Sequence, residues 1–215
     1  MANDHRLFDD YLFDTTLVRP TVLHWPAWQE AKGFADYAKL LIQQVDTTAP
    51  FVLLGFSMGG MLAQEMSKII QPEAIIIVSS VRAAKHLPFR TRVGKFLPIY
   101  RLISEGMVKQ ASGCKWFFKQ IREAKHVRLY QSMVAATGAK FLKWQICATV
   151  HWDYAPSPTS PQLYHIHGEK DKAIPLRKGA KPNVVIPGGS HEIIVNELGQ
   201  ITKLVEGFIK SLHSF

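Results

Sequence analysis

Two hydrophobic periods take turns along this chain. Short, dense apolar runs of strand type occur at Pro20–Trp25 (PTVLHW), Phe51–Leu54, Ala74–Ser80 (AIIIVSS), Gln162–His167 (QLYHIH) and Asn183–Ile186. Between them the spacing turns helical. Ala27–Val45 carries Phe34, Tyr37, Ala38, Leu41, Ile42 and Val45 on one side, and Met58–Ile70 continues as a helix that Pro72 closes. The chain ends in an amphipathic helix over Glu197–Leu212, with Leu198, Ile201, Leu204, Val205, Phe208, Ile209 and Leu212 on its apolar side. Strands alternating with helices predict an α/β fold, a mostly parallel sheet covered by helices on both faces.

One stretch breaks the alternation. From Arg82 to about Ala155 the pattern reads as several helices, interrupted near Pro88, Pro98, Gly113 and Gly138 and studded with aromatics. It is expected to be a helical cap, residues 82–155, inserted into a core made of residues 1–81 and 156–215. Its charge is distinctive. Between Arg82 and Lys143 fourteen lysines and arginines face only Glu105 and Glu123, a net +12, whereas the whole chain carries +9. The basicity belongs to this segment, and the rest is slightly acidic. A solvated outer face, contact with anionic lipid and attraction of an acidic acyl carrier are the open readings. Nucleic acid is the least favoured partner, because no recognised binding motif accompanies the charge.

The 215 residues suffice for one domain with a conventional core. Cys114 and Cys147 have neither metal-ligand spacing nor a redox motif and are expected to be reduced. The start, MANDHRLFDD, lacks the apolar stretch of a secretory signal, and no apolar run is long enough to span a bilayer, so a cytoplasmic location is expected. No His/Cys/Asp/Glu cluster has the spacing of a metal site. Oligomeric state is not readable.

The chemistry gathers at the ends of the predicted strands. Gly55-Phe56-Ser57-Met58-Gly59 lies where an apolar strand meets a helix, the context in which G-x-S-x-G marks a nucleophilic serine on a strained turn. Small residues at Gly55 and Gly59 would let that turn close, and the helix start would offer the Met58 amide to a developing oxyanion. A serine that merely caps the helix is the plainer alternative. A nucleophile needs a base, and the base an orienting acid. Asp171 follows the fourth strand in HGEKD and His191 follows the fifth in PGGSH. Ser, Asp, His is also the chain order of such triads in α/β hydrolases. Glu169 is the nearby rival for the acid and Asp153 a distant one.

The whole chain resembles small bacterial α/β hydrolases with a helical cap. The resemblance rests on TVLHWPAW, FVLLGFSMGGMLAQEMSK, PEAIIIVSS, LYHIHGEKDKAIP and VVIPGGSHEIIVNE. It implies hydrolysis of an ester, thioester or amide through an acyl-enzyme, without a cofactor. It also implies a cap that shapes the acyl pocket, for which Phe56, Phe89, Phe96, Trp116 and Trp144 are candidates, although any of them could instead pack cap helices together. The resemblance is incomplete at one end. Members begin with a strand and a glycine-containing loop that supply a second oxyanion donor, and the segment ahead of Ser57 has no counterpart. Either a start further upstream or a degenerate copy would account for that. The alternatives to a hydrolase are therefore a lapsed homologue that binds lipid or acyl groups, and an acyltransferase using the same triad.

Overall fold

The computed structural model describes residues 4–114, 118–177 and 179–213. Four parallel strands form one sheet in the order β1 (Val52–Phe56), β2 (Ala74–Val78), β3 (Gln162–Gly168), β4 (Val184–Ile186). The pleat sorts β2 into two faces. Ala74, Ile76 and Val78 join a core with Tyr164, Ile166 and Ile186, and Ile75 and Ile77 join a second with Leu53. All five β2 residues are sealed from solvent, which is why this strand reads as an unbroken β-branched run rather than an alternating one.

Helices complete both layers. On the first face lies α7 (Leu198–Leu212), burying Ile201, Val205 and Ile209. On the second lie α1 (Phe34–Leu41) and α2 (Met58–Met66), through Phe34, Tyr37, Leu41, Met61, Leu62 and Met66. The 82–155 segment is helical, with α3 (Phe89–Val93), α4 (Glu105–Gly113), α5 (Ala124–Thr137) and α6 (Ala139–His151). Two of these are built into the cores. Tyr130 and Met133 of α5 pack with Leu7 and Tyr11 in the first, and Phe141, Trp144 and Ala148 of α6 pack in the second.

Several boundaries differ from the sequence reading. Pro20–Trp25 is not a strand; the backbone N–H and C=O of His24 are instead satisfied by the Gln44 side-chain amide, each at 2.9 Å. That amide does for one residue what a neighbouring strand does for many. The first long helix begins only at Phe34; Trp28, inside the predicted helix, instead stacks on Phe141. Helix α2 ends at Met66, where Ser67 Oγ donates to Gln64 O and turns follow. Among the described residues no strand pairs with the outer side of β1, which is therefore an edge.

Candidate active site

The three candidate residues all emerge from C-terminal strand ends, where parallel sheets expose loops to one side. Ser57 directly follows β1 and begins α2. Its backbone sits at φ 52°, ψ −118°, a left-handed conformation that costs a non-glycine residue of order 1–3 kcal/mol. The neighbours hold it there. Ser57 N donates to Val78 O at 2.8 Å, and Ser80 Oγ donates to Ser57 O at 2.7 Å. A Cβ on Gly55 would run into Gly59 O and stand 2.5 Å from Gly60 N, so the turn closes only over glycine there. Gly59 behaves otherwise than the motif suggests: a Cβ at that position meets open space, and Gly60 is the tight one, 2.7 Å from Ser80 Oγ.

The loops after β3 and β4 are fastened to each other. Lys170 N donates to Gly189 O at 2.7 Å and Glu169 N to Ile186 O at 3.0 Å. A Cβ on Gly168 would strike Ser190 O, so the two loops touch backbone to backbone. Glu169, the rival acid, is occupied in this lattice: its carboxylate accepts from Gly188 N at 2.8 Å. Asp171 is the carboxylate that reaches the histidine.

His191 Nε2 lies 3.1 Å from Ser57 Oγ, and His191 Nδ1 lies 2.7 Å from Asp171 Oδ2. The other carboxylate oxygen, Oδ1, accepts from the amides of Ala173 at 2.8 Å and Ile174 at 2.7 Å. Burial pushes the Asp171 carboxyl up, but hydrogen bonds from His167 and His191, the His191 charge and the Ile174 amide outweigh it and hold the group well below the usual carboxylate range. An ionised, immobile carboxylate thus fixes Nδ1 of His191 as the protonated nitrogen and leaves Nε2 free to accept from the serine.

A second pair of histidines lies behind this one. His167 Nε2 faces two acceptors, Ile174 O at 2.8 Å and Asp171 Oδ2 at 3.2 Å, so it carries the proton. Its Nδ1 then accepts from His165 Nε2 at 2.9 Å. His165 is buried, which with the nearby His167 and Arg82 charges pushes its pKa down to about 3 and keeps it neutral. Sequence reasoning passed over this pair, yet its signal was there: residues two apart in a buried strand share one face. Arg90 of α3 was equally unforeseen. Its guanidinium donates to Lys172 O at 2.9 Å and Ala173 O at 2.7 Å, binding the inserted segment to the loop that carries Asp171.

The predicted pocket residues fall into different settings. Phe56 is buried with its ring 5.2 Å from that of His191. Trp144 is committed to packing, with Nε1 donating to Ala31 O at 2.7 Å and its ring 4.7 Å from Tyr37. Phe89 and Phe96 are 69% and 83% exposed, so in this conformation they face solvent instead of walling a cavity. Trp116 lies outside the described residues. An open cleft of about 350 Å³ lies elsewhere, between Asp9, Asp10, Glu123 and Lys125. Among the described residues no group of three or more His, Cys, Asp or Glu side chains could hold a metal ion, and no helix is long and apolar enough to cross a membrane.

This architecture is that of an α/β hydrolase, and the chain belongs to the alpha/beta hydrolase family, whose model matches residues 4–198. Among solved structures it is similar to MenH from S. aureus, at 16% identity and a TM-score of 0.72, covering 99% of this chain and 91% of that one. It is similar also to the esterase EaEST from Exiguobacterium antarcticum, at 15% identity and 0.70, covering 96% and 88%. The RedJ thioesterase of the prodiginine pathway in Streptomyces coelicolor aligns at 12% identity and 0.63, covering 96% and 86%. At these identities the likeness establishes the fold alone. No curated protein matches the chain.

Proposed function

We propose that the protein is a serine hydrolase of carboxylic esters or thioesters, with Ser57 as nucleophile, His191 as base and Asp171 as orienting acid. The observation behind this reading is the unbroken line of contacts from Ser57 Oγ through His191 to Asp171, at 3.1 and 2.7 Å. Ser57 Oγ attacks the acyl carbon and His191 Nε2 takes its proton. The Met58 amide, at the start of α2, donates to the oxyanion. His191 then returns the proton to the leaving alcohol or thiol as the tetrahedral intermediate collapses to an acyl-enzyme. Water then attacks the acyl carbon as His191 Nε2 takes one of its protons, and His191 returns that proton to Ser57 Oγ as the bond to the serine breaks, releasing the acid and restoring the free enzyme. Ester and acyl substrates are the class acted on by the esterase and thioesterase neighbours. We take residues 82–155 as the cap over this site, and its cations would suit an acidic acyl carrier or an anionic lipid as the source of the acyl group.

Labelling with a fluorophosphonate probe tests the reading directly. Modification should map to Ser57 and disappear in His191→Ala, and Ser57→Ala should end p-nitrophenyl ester hydrolysis while leaving the fold intact. Turnover that persists in Ser57→Ala removes the assignment. Labelling without turnover would favour the lapsed acyl-binding homologue, and new esters formed with added alcohols would favour the transferase.

A further inference from the structure

Between Phe96 and Leu102 the chain does something unusual for a soluble surface. Phe96, Leu97, Ile99 and Leu102 are 83%, 61%, 71% and 76% exposed, four large apolar side chains within seven residues. Single exposed apolar residues need no explanation, but a contiguous group does. The exposed cations Arg92, Lys95 and Arg101 lie within and just before the same stretch, and Glu105 is the only acidic residue from Phe89 to Lys109. We propose that this segment docks the protein on an anionic lipid surface, the apolar side chains entering the boundary between headgroups and acyl chains while the cations meet the phosphates.

The form of the segment favours lipid over a folded partner. Its side chains project from the turn that carries Phe96 and Leu97 and from the short 3-10 turn Ile99–Leu102 that follows, and all four are exposed. A protein would need a preformed cavity for each of them, whereas the bilayer interface accepts protruding apolar groups wherever they fall. The charge selects the lipid, since cations beside an apolar patch add affinity for anionic headgroups. Position gives the docking a use. Arg90, six residues before Phe96, is bonded to the Lys172 and Ala173 carbonyls beside Asp171, so the segment begins at the same end of the sheet as Ser57. Docking there would turn the serine toward the phase in which long-chain acyl groups reside. The inference does not depend on Ser57 being a nucleophile.

Vesicle flotation tests it with the full chain, using phosphatidylcholine alone and equal parts phosphatidylcholine and phosphatidylglycerol. Partition onto the anionic vesicles is expected at low salt and should fall as salt rises. Lys95→Gln and Arg101→Gln should each weaken it about fivefold, and Phe96→Glu with Leu97→Glu should weaken it at least tenfold. Because these side chains are exposed, an unchanged melting temperature certifies that each variant is folded. Ser57→Ala should partition like the wild type, which separates this inference from the hydrolase reading. Absence of partition onto anionic vesicles overturns it, as does partition untouched by the Phe96→Glu, Leu97→Glu change. A concentration-dependent dimer abolished by that change, with vesicle binding unaffected, would assign the face to a second copy instead.

Discussion

His167 Nε2 stands 3.2 Å from Asp171 Oδ2, with both side chains cut off from solvent. That oxygen is the one that accepts from His191 Nδ1, so His167 acts on the proposed base through the carboxylate and is a positioning residue. Without this donor the carboxylate and the imidazole it orients lose their alignment with Ser57, so His167→Ala should lower kcat for a p-nitrophenyl ester about tenfold. A carboxylate with one donor fewer holds the imidazolium more tightly, so the acid limb of the pH–rate profile should move to higher pH. His167→Gln keeps an N–H near Nε2 and should restore the profile. A loss of rate without movement of that limb would reduce His167 to a packing role.

The four donors around Asp171 also fix the outcome of Asp171→Asn. The Ala173 and Ile174 amides both need an acceptor, so the asparagine oxygen takes the Oδ1 place and its NH₂ faces His191. Nδ1 must then accept, the ring proton moves to Nε2, and Nε2 can no longer receive the serine proton. A fall in kcat of about 10⁴-fold is expected with little change in ester KM. Steady-state kinetics on the purified variant give the answer; a loss below about tenfold would mean that Asp171 does not set the tautomer.

The two glycines of the elbow should part company. Gly55→Ala places a methyl group against the Gly59 carbonyl and should cost about 3 kcal/mol or displace the serine. Gly59→Ala puts its methyl group into open space inside α2 and should stabilise the protein by about 0.5–1 kcal/mol, with Ser57 labelling retained. Thermal melts and probe labelling of both variants decide it. Equal damage at both positions would mean that Gly59, like Gly55, is held by contact.

The same contrast marks how far the sequence could be read. Strands β1 and β2 were legible because burial selects aliphatic and β-branched runs, and Ser57, Asp171 and His191 stood out as candidates because each follows a predicted strand. Pro20–Trp25 has the composition of a strand, but pairing is decided by a neighbour, and its neighbour is the Gln44 side chain. Glu169 and Asp171 are two residues apart in one charged loop; only the backbone partners, Gly188 N for one and Ala173 and Ile174 N for the other, separate their roles. Gly59 and Gly60 are adjacent, and no pattern says which approaches Ser80. Aromatic content marked residues 82–155 but not the destination of each ring, and Trp144 went to the core and Phe96 to solvent. Long-range contact is the common missing term.

His165 should dominate the weakening of the fold in mild acid. In the unfolded chain a histidine binds its proton near pH 6.5, whereas in the fold His165 does so only at about 3. Between those values the unfolded state holds one more proton, so stability falls with falling pH by about 1.4 kcal/mol per unit for this group. His86, pushed down by burial and by the charges of Lys85, Arg177 and Arg82, adds in the same direction. Asp171 does not contribute between pH 7 and pH 5. Its folded pKa is depressed, so its stabilisation is complete above the unfolded carboxylate value near 3.9 and is lost only as the pH falls below that. His165→Gln retains a donor toward His167 and cannot titrate. Urea unfolding at pH 7 and pH 5 should therefore show wild type losing about 2 kcal/mol more than the variant. Equal losses would place the His165 proton on the ring in the folded state, and with it a charge on the network behind Asp171.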